Sequence, residues 1–267
     1  MRRSWLTLLL LAPVAAQATG VAWAAQTVPH EAFYNITLEQ LKMPGTVLRS
    51  SGEMAMSVSR DCEKWTLRHE TNFRLELEGD QEIYFVNRYR LFESLDGKRM
   101  DFRVIHMQNG HTILNIKGQA TLPASQAAGE AHFSLPAERI LPLPPETGFP
   151  MTQAHMTIDR LGAGETLSRY VLFEGSGIYQ VTDISAGKNM ELHAPPEGDT
   201  DLLDGRSWRV ESTLFPYGAI DSGPAGSTIT QTLENGVSPA FLVDYGNLIA
   251  RGELKSIHRL ADLSCQG

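Results

Sequence analysis

The chain carries eight histidines, the side chains best suited to acid–base or metal chemistry near neutral pH: His30, His69, His106, His111, His132, His155, His193 and His258. None lies two or four residues from another, the spacings that put two imidazoles on one face of a strand or helix. His106 and His111 flank Asn109-Gly110 and would approach each other across a hairpin turn. Two imidazoles without a carboxylate or cysteine make a poor metal site, so hydrogen-bonded or solvated histidines are expected. Glu93, Asp96 and Asp101 gather at a second turn, Asp96-Gly97. Paired carboxylates do acid–base work when one is buried; beside Lys98 and Arg99 a solvated cluster is expected. The chain holds no G-x-S-x-G, H-E-x-x-H, Walker or G-x-G-x-x-G pattern. The sequence therefore predicts no catalytic residue, no cofactor and no metal, and assigns no ligand-binding residue. Met43, Met54, Met56, Met100 and Met107 suit core filling or, more sharply, the pliable lining of a site for a hydrophobic ligand.

Cys62 and Cys265 are the only two cysteines, and the N-terminus sets their meaning. Arg2 and Arg3 precede an apolar run from Trp5 to Leu11 that continues to Ala16, and Ala22-Trp23-Ala24 is an A-x-A cleavage site. Residues 1–24 read as a cleaved secretory signal peptide. Pro13 and Gly20 argue against the alternative, an uncleaved anchor. The mature chain is then expected in the periplasm, with no transmembrane segment. In an oxidising compartment a lone cysteine pair is usually bonded. A Cys62–Cys265 disulfide would close a loop of roughly 200 residues, worth up to about 5 kcal/mol by chain entropy. Two buried free thiols are the alternative reading. With no C-x-x-C, redox catalysis is not expected.

A mostly β scaffold must position these groups. Trp65, Leu67, Thr71, Phe73, Leu75 and Leu77 alternate with Thr66, Arg68, Glu70, Asn72, Arg74, Glu76 and Glu78, and His69 falls on the apolar side. Similar alternations run through Met54–Val58, Met100–Val104, Leu114–Leu122, Trp208–Leu214, Phe241–Tyr245 and Leu248–Leu260. Asp96-Gly97, Asn109-Gly110 and Asn235-Gly236 supply tight turns, which predicts an antiparallel meander. Pro136, Pro142, Pro144, Pro145 and Pro150 exclude a central strand between Leu135 and Pro150. Met151, Ala154, His155, Ile158 and Leu161 then repeat at helical spacing. This predicts one short amphipathic helix at 150–161, joining halves 25–149 and 163–267 of a single β domain, 25–267. His193 to Arg206, with Pro195-Pro196-Glu197-Gly198-Asp199, reads as a mobile surface loop. At 267 residues with 42% hydrophobic content, the chain can build one large core. A net charge of −8 without a long basic run argues against nucleic-acid binding.

Several short strings, in order, resemble one family: His30-Glu31-Ala32 with Tyr34, Gly52 with Met54, Cys62 with Trp65, Glu93-Ser94-Leu95-Asp96-Gly97 and Gly118 with Ala120. They continue with Phe149-Pro150 and His155, Ala163-Gly164-Glu165, Phe173-Glu174-Gly175 and the terminal Cys265. Together they resemble the EipB family of envelope integrity proteins of alphaproteobacteria. The resemblance implies a spiral-like, open antiparallel β-barrel, a disulfide tying an early strand to the C-terminus, and a non-enzymatic periplasmic role in cell-envelope integrity. Partners would be an envelope protein or a lipidic or glycan component of the envelope. The alternative is a periplasmic carrier or sensor of a hydrophobic, acyl-chain ligand, since the implied fold is similar to that of lipoprotein carriers. At Lys64 the sequence departs from the family pattern, in which glycine precedes the tryptophan.

Overall fold

A computed structural model describes residues 27–42, 47–124, 127–219, 221 and 223–263. The expected signal peptide at 1–24, together with Met43 and Cys265, lies outside the described residues.

The apolar–polar alternations form strands, because period two sends apolar side chains to one face. The first half gives β1 (His30–Leu41), β2 (Val47–Arg60), β3 (Lys64–Leu77), β4 (Gln81–Ser94), β5 (Arg99–Gln108), β6 (His111–Thr121), β7 (Gly129–Leu135) and β8 (Arg139–Leu143). The short β9 (Thr147–Gly148) leads into helix α1 (Pro150–Gly162). Then follow β10 (Leu167–Phe173), β11 (Ile178–Ser185), β12 (Glu197–Gly198), β13 (Ser207–Pro216), β14 (Gly226–Leu233), β15 (Ala240–Asp244) and β16 (Leu248–Arg259). The turn residues behave as their types require: Asn109, Gly97, Gly110 and Gly236 all have positive φ.

One sheet holds every strand, in the order β8-β7-β6-β5-β4-β3-β2-β1-β16-β15-β14-β13-β11-β10-β9, with β12 added alongside β16. The first and last long strands thus pair in the middle of the sheet. Its two free ends, β8 and β9, come from the middle of the chain. No ladder joins β8 to β9 among the described residues, so the barrel is nearly closed and keeps an unsealed seam. Proline explains why the sheet stops there: Pro142 sits in β8, an edge strand, where a missing N–H costs no ladder bond.

Side chains close what the ladder leaves open. Phe173 of β10 lies edge-to-face with Phe102 of β5 at 5.3 Å and with Phe133 of β7 at 6.4 Å. The opposite face of β10 carries Ser168, paired with Asp183, and Asp183 accepts a hydrogen bond from Thr157 of α1. Strand β10 therefore has sheet on one side and helix on the other, and the ends of the sheet overlap like successive turns of a spiral. Two large apolar clusters result among the described residues, beside a small one of Val58, Trp65 and Met151. One, around Tyr34, Met54, Phe73, Leu202 and Leu254, fills the barrel beneath β1–β3 and β16. The other, around Met100, Phe102, Phe133, Phe149 and Phe173, fills the overlap.

Three local expectations change. The helix buries Met151, Gln153, Ile158 and Leu161, while Ala154 is exposed, because its N-terminal turn is wrapped from two sides. The segment expected as a mobile loop is instead tied down. Strand β12 pairs with β16, Leu202 is 2% exposed, and Asp199 accepts the Arg259 N–H at 2.7 Å. At Lys64, the Asp61 carboxylate accepts the Glu63 and Lys64 N–H groups, both at 2.9 Å. Lys64 is not among the residues with positive φ, so the turn has no need of glycine there.

Candidate functional site

Two groups of buried and half-buried polar side chains lie on the inner face. The first is at the helix end of the barrel. Helix α1 touches Val58 near the end of β2, Trp65 at the start of β3, Glu93 at the end of β4 and Gly97 before β5. Pro150 begins the helix, and no neighbouring side chain caps it. The free N–H groups of its first turn still need acceptors. Glu93 supplies them from another strand: Oε2 accepts the Met151 N–H at 2.7 Å and Oε1 the Thr152 N–H at 2.9 Å, with the Thr152 hydroxyl donating to the same oxygen. The expected solvated carboxylate cluster is therefore split. Glu93 is 2% exposed, while Asp96 and Asp101 face water. Burial raises the Glu93 carboxyl above the usual range, and the hydrogen bonds from Thr152 and Met151 oppose that rise. Asp96 moves the other way, held down by the Ser94 hydroxyl and the Lys98 N–H.

The second group is further along the lumen, on β3, β4, β5 and the β10–β11 turn. His69 and Tyr89 face each other across β3 and β4 and stack at 5.6 Å. The Nε2 of His69 meets the Thr71 hydroxyl at 2.6 Å, and the Tyr89 hydroxyl meets His106 Nε2 at 2.9 Å. Burial pushes the His69 imidazole down to about 4 and lowers His106 as well, so both rings are neutral at pH 7. Glu174, in the turn after β10, is raised by burial and acts electrostatically on Tyr89 and Tyr179. Its Oε1 accepts the Ser176 N–H at 3.1 Å, the Gly177 N–H at 3.0 Å and the Ser176 hydroxyl.

This cluster brings a carboxylate near two histidines, but it does not wire them together. A hydrolytic triad needs a carboxylate orienting the base and the base holding a nucleophile. Here Glu174 is engaged by its own turn, His106 holds a tyrosine and His69 a threonine. His106 and His111 are not brought together: the β5–β6 register sets His111 opposite Gln108, and His111 is exposed. Among the described residues no three His, Cys, Asp or Glu side chains gather as metal ligands. Met54 and Met100 lie in the core, and Met56 packs against it. Alternation marked His69 as inward-facing and Glu174 stood in the family string Phe173-Glu174-Gly175, whereas Tyr89 and Tyr179 carried no motif; only the fold brings the four together. Cys62 is exposed, and its Sγ lies 3.8 Å from the Leu263 carbonyl oxygen.

A family model described as EipB-like matches residues 21–261. The chain belongs to the EipB-like family. It is 25% identical over 250 residues to the cell envelope integrity protein EipB of Brucella abortus (strain 2308), an alignment covering 90% of this chain and 86% of that protein. Its fold matches the crystal structure of a β-barrel-like protein, a domain of unknown function, from Brucella abortus. That match has a TM-score of 0.77 at 23% identity and covers 89% of this chain and 100% of that one. This EipB-like membership supports a role in envelope integrity, and the family is named for that role rather than for an enzymatic activity. No helix among the described residues is long and apolar enough to cross a membrane.

Proposed function

We propose that this EipB-like chain is an exported, non-enzymatic periplasmic protein that supports envelope integrity by binding a component of the envelope. The observation that carries the reading is the family match over residues 21–261, which spans the entire sheet and helix. The carrier alternative receives less support. The barrel beneath β1–β3 is occupied by the protein's own side chains, and α1 is fastened at its first turn by buried Glu93. A Cys62–Cys265 disulfide belongs to the same proposal: the Leu263 backbone passes beside Cys62, two residues before Cys265. Such a bond would hold the C-terminus against the β2–β3 turn.

Deleting the gene in its native host tests the role. The expected result is sensitivity to detergent and to cell-wall antibiotics, restored by the wild-type gene; normal resistance would remove the envelope reading. Alkylation of the protein drawn from the periplasm tests the bond. Thiols that label only after reduction are expected, and two labelled thiols without reduction would overturn the pairing.

A further inference from the structure

We propose that the outer face of β3–β6 docks an acidic, extended polypeptide segment of a partner protein. This rests on the envelope-binding reading and names the chemistry of the partner. Four basic residues stand in one cross-strand row: Arg68 opposite Arg90, Arg90 opposite Arg103 and Arg103 opposite Lys117. All four are exposed. Neighbouring strands lie ~4.8 Å apart, so the row spans roughly 14 Å. Like charges directly opposite each other destabilise a sheet. Close by, the same sheet neutralises its arginines: Arg74 is paired with Glu76 and Glu82, and Arg88 with Glu70. The four residues of the row have no ion pair among the described residues. In a chain of net charge −8, an uncompensated cationic row has no evident structural reason and a clear electrostatic use.

Its surroundings select the occupant. Arg90, Arg103 and Lys117 line a groove of about 860 Å³ whose far wall carries Arg139, with its guanidinium 3.9 Å from the Phe133 ring. A groove excludes the plane of a bilayer and admits a single extended chain. Alternate side chains of such a chain repeat every ~6.8 Å, so three carboxylates cover the length of the row. Arginine receives each of them through two parallel N–H groups. Asp101 and Glu138 also line the groove, as do Phe92 and the exposed Ile140. An unbroken polyanion meets repulsion there, whereas a peptide can place neutral or apolar side chains against those positions.

Fluorescence anisotropy of the purified chain with a labelled heptapeptide alternating glutamate and threonine tests the proposal. Saturable binding that weakens with salt is expected, falling about tenfold in Arg103→Glu. Arg74→Gln, outside the row, should bind as wild type. Arg103→Gln guards against a folding artefact: it should weaken binding while its melting temperature holds or rises, because a like-charge contact is removed. Absent binding, equal weakening by Arg74→Gln, or binding of phosphatidylglycerol vesicles instead of the peptide would overturn the proposal. In cells, an Arg103→Glu gene that fully restores the deletion strain sinks the docking site and leaves the envelope role standing. A deletion strain with normal resistance sinks the envelope role whatever the peptide does.

Discussion

Two desolvated glutamates, Glu93 and Glu174, do the same local chemistry on the inner face of the barrel, with different reach. Each lies in a low-dielectric setting, is raised by burial, and accepts two backbone N–H groups and a hydroxyl. Glu174 takes its donors from residues 176 and 177, so it shapes a single turn. Glu93 takes them from Met151 and Thr152, more than fifty residues away, so it fastens the helix to the barrel. The difference teaches that a buried charge is structurally expensive or cheap according to what its loss sets free, not according to its own burial.

The largest expected effect follows directly. Glu93→Ala leaves two buried helix N–H groups without acceptors, a loss of about 3 kcal/mol or more. Urea denaturation measures it; a loss no greater than that of Glu174→Ala would break the contrast. His69 contributes nearly as much, through pH. Its folded pKa, about 4, lies below the ordinary 6.5, so its stabilisation is whole above 6.5 and is lost as pH falls toward 4. The amount is up to about 3 kcal/mol. His69→Gln should flatten the acid limb of a melting-temperature profile, and an unchanged limb would remove His69 from the lumen cluster.

Gly97→Val comes next. Gly97 has φ +66, and a Cβ there would lie 2.4 Å from the Thr152 Oγ1 on α1. A cost of about 2 kcal/mol is expected, expressed at the same helix end that Glu93 holds. The two substitutions share a partner in Thr152, so a double-mutant cycle should show them to be non-additive. The smallest effect belongs to Glu174→Gln, about 1 kcal/mol at neutral pH and confined to amide exchange around 174–177. Because burial raises the Glu174 carboxyl above 4.5, its contribution is full below that value and declines as pH rises through the folded pKa. The Gln variant should lose that decline, and calorimetry from pH 4 to 7 detects it.

The same contrast marks what was legible in the sequence. The odd-numbered run from Trp65 to Leu77, the turns at Gly97, Gly110 and Gly236, and a helix beginning at Pro150 are local matters of period and φ, and the structure contains them all. Gly52 and Gly118, legible only as parts of family strings, now have a physical reason. Each sits directly opposite a phenylalanine, Phe73 and Phe102, and has room for the ring but not for a Cβ. Glu93 was misread because Asp96-Gly97, Lys98 and Arg99 suggested water nearby, and nothing local announces a helix arriving from residue 150. The anchorage of segment 193–206 was missed for the same reason: its prolines rightly signal an irregular surface path, while its attachment depends on β16. The cationic row was invisible because four residues in four strands become neighbours only through register.

The meeting of β1 and β16 in mid-sheet also governs the order in which this protein can come into being. A ribosome delivers β1 first and its partner β16 last, so one long edge of the first strand stays unmatched for nearly the whole time of synthesis. An eight-strand first half that folded before β16 arrived would be an open sheet with an edge at each side, the form most prone to recruit other chains. Completion waits on the final strand, and a chain cut short before Leu248 is left not with a smaller barrel but with two unjoined sheets.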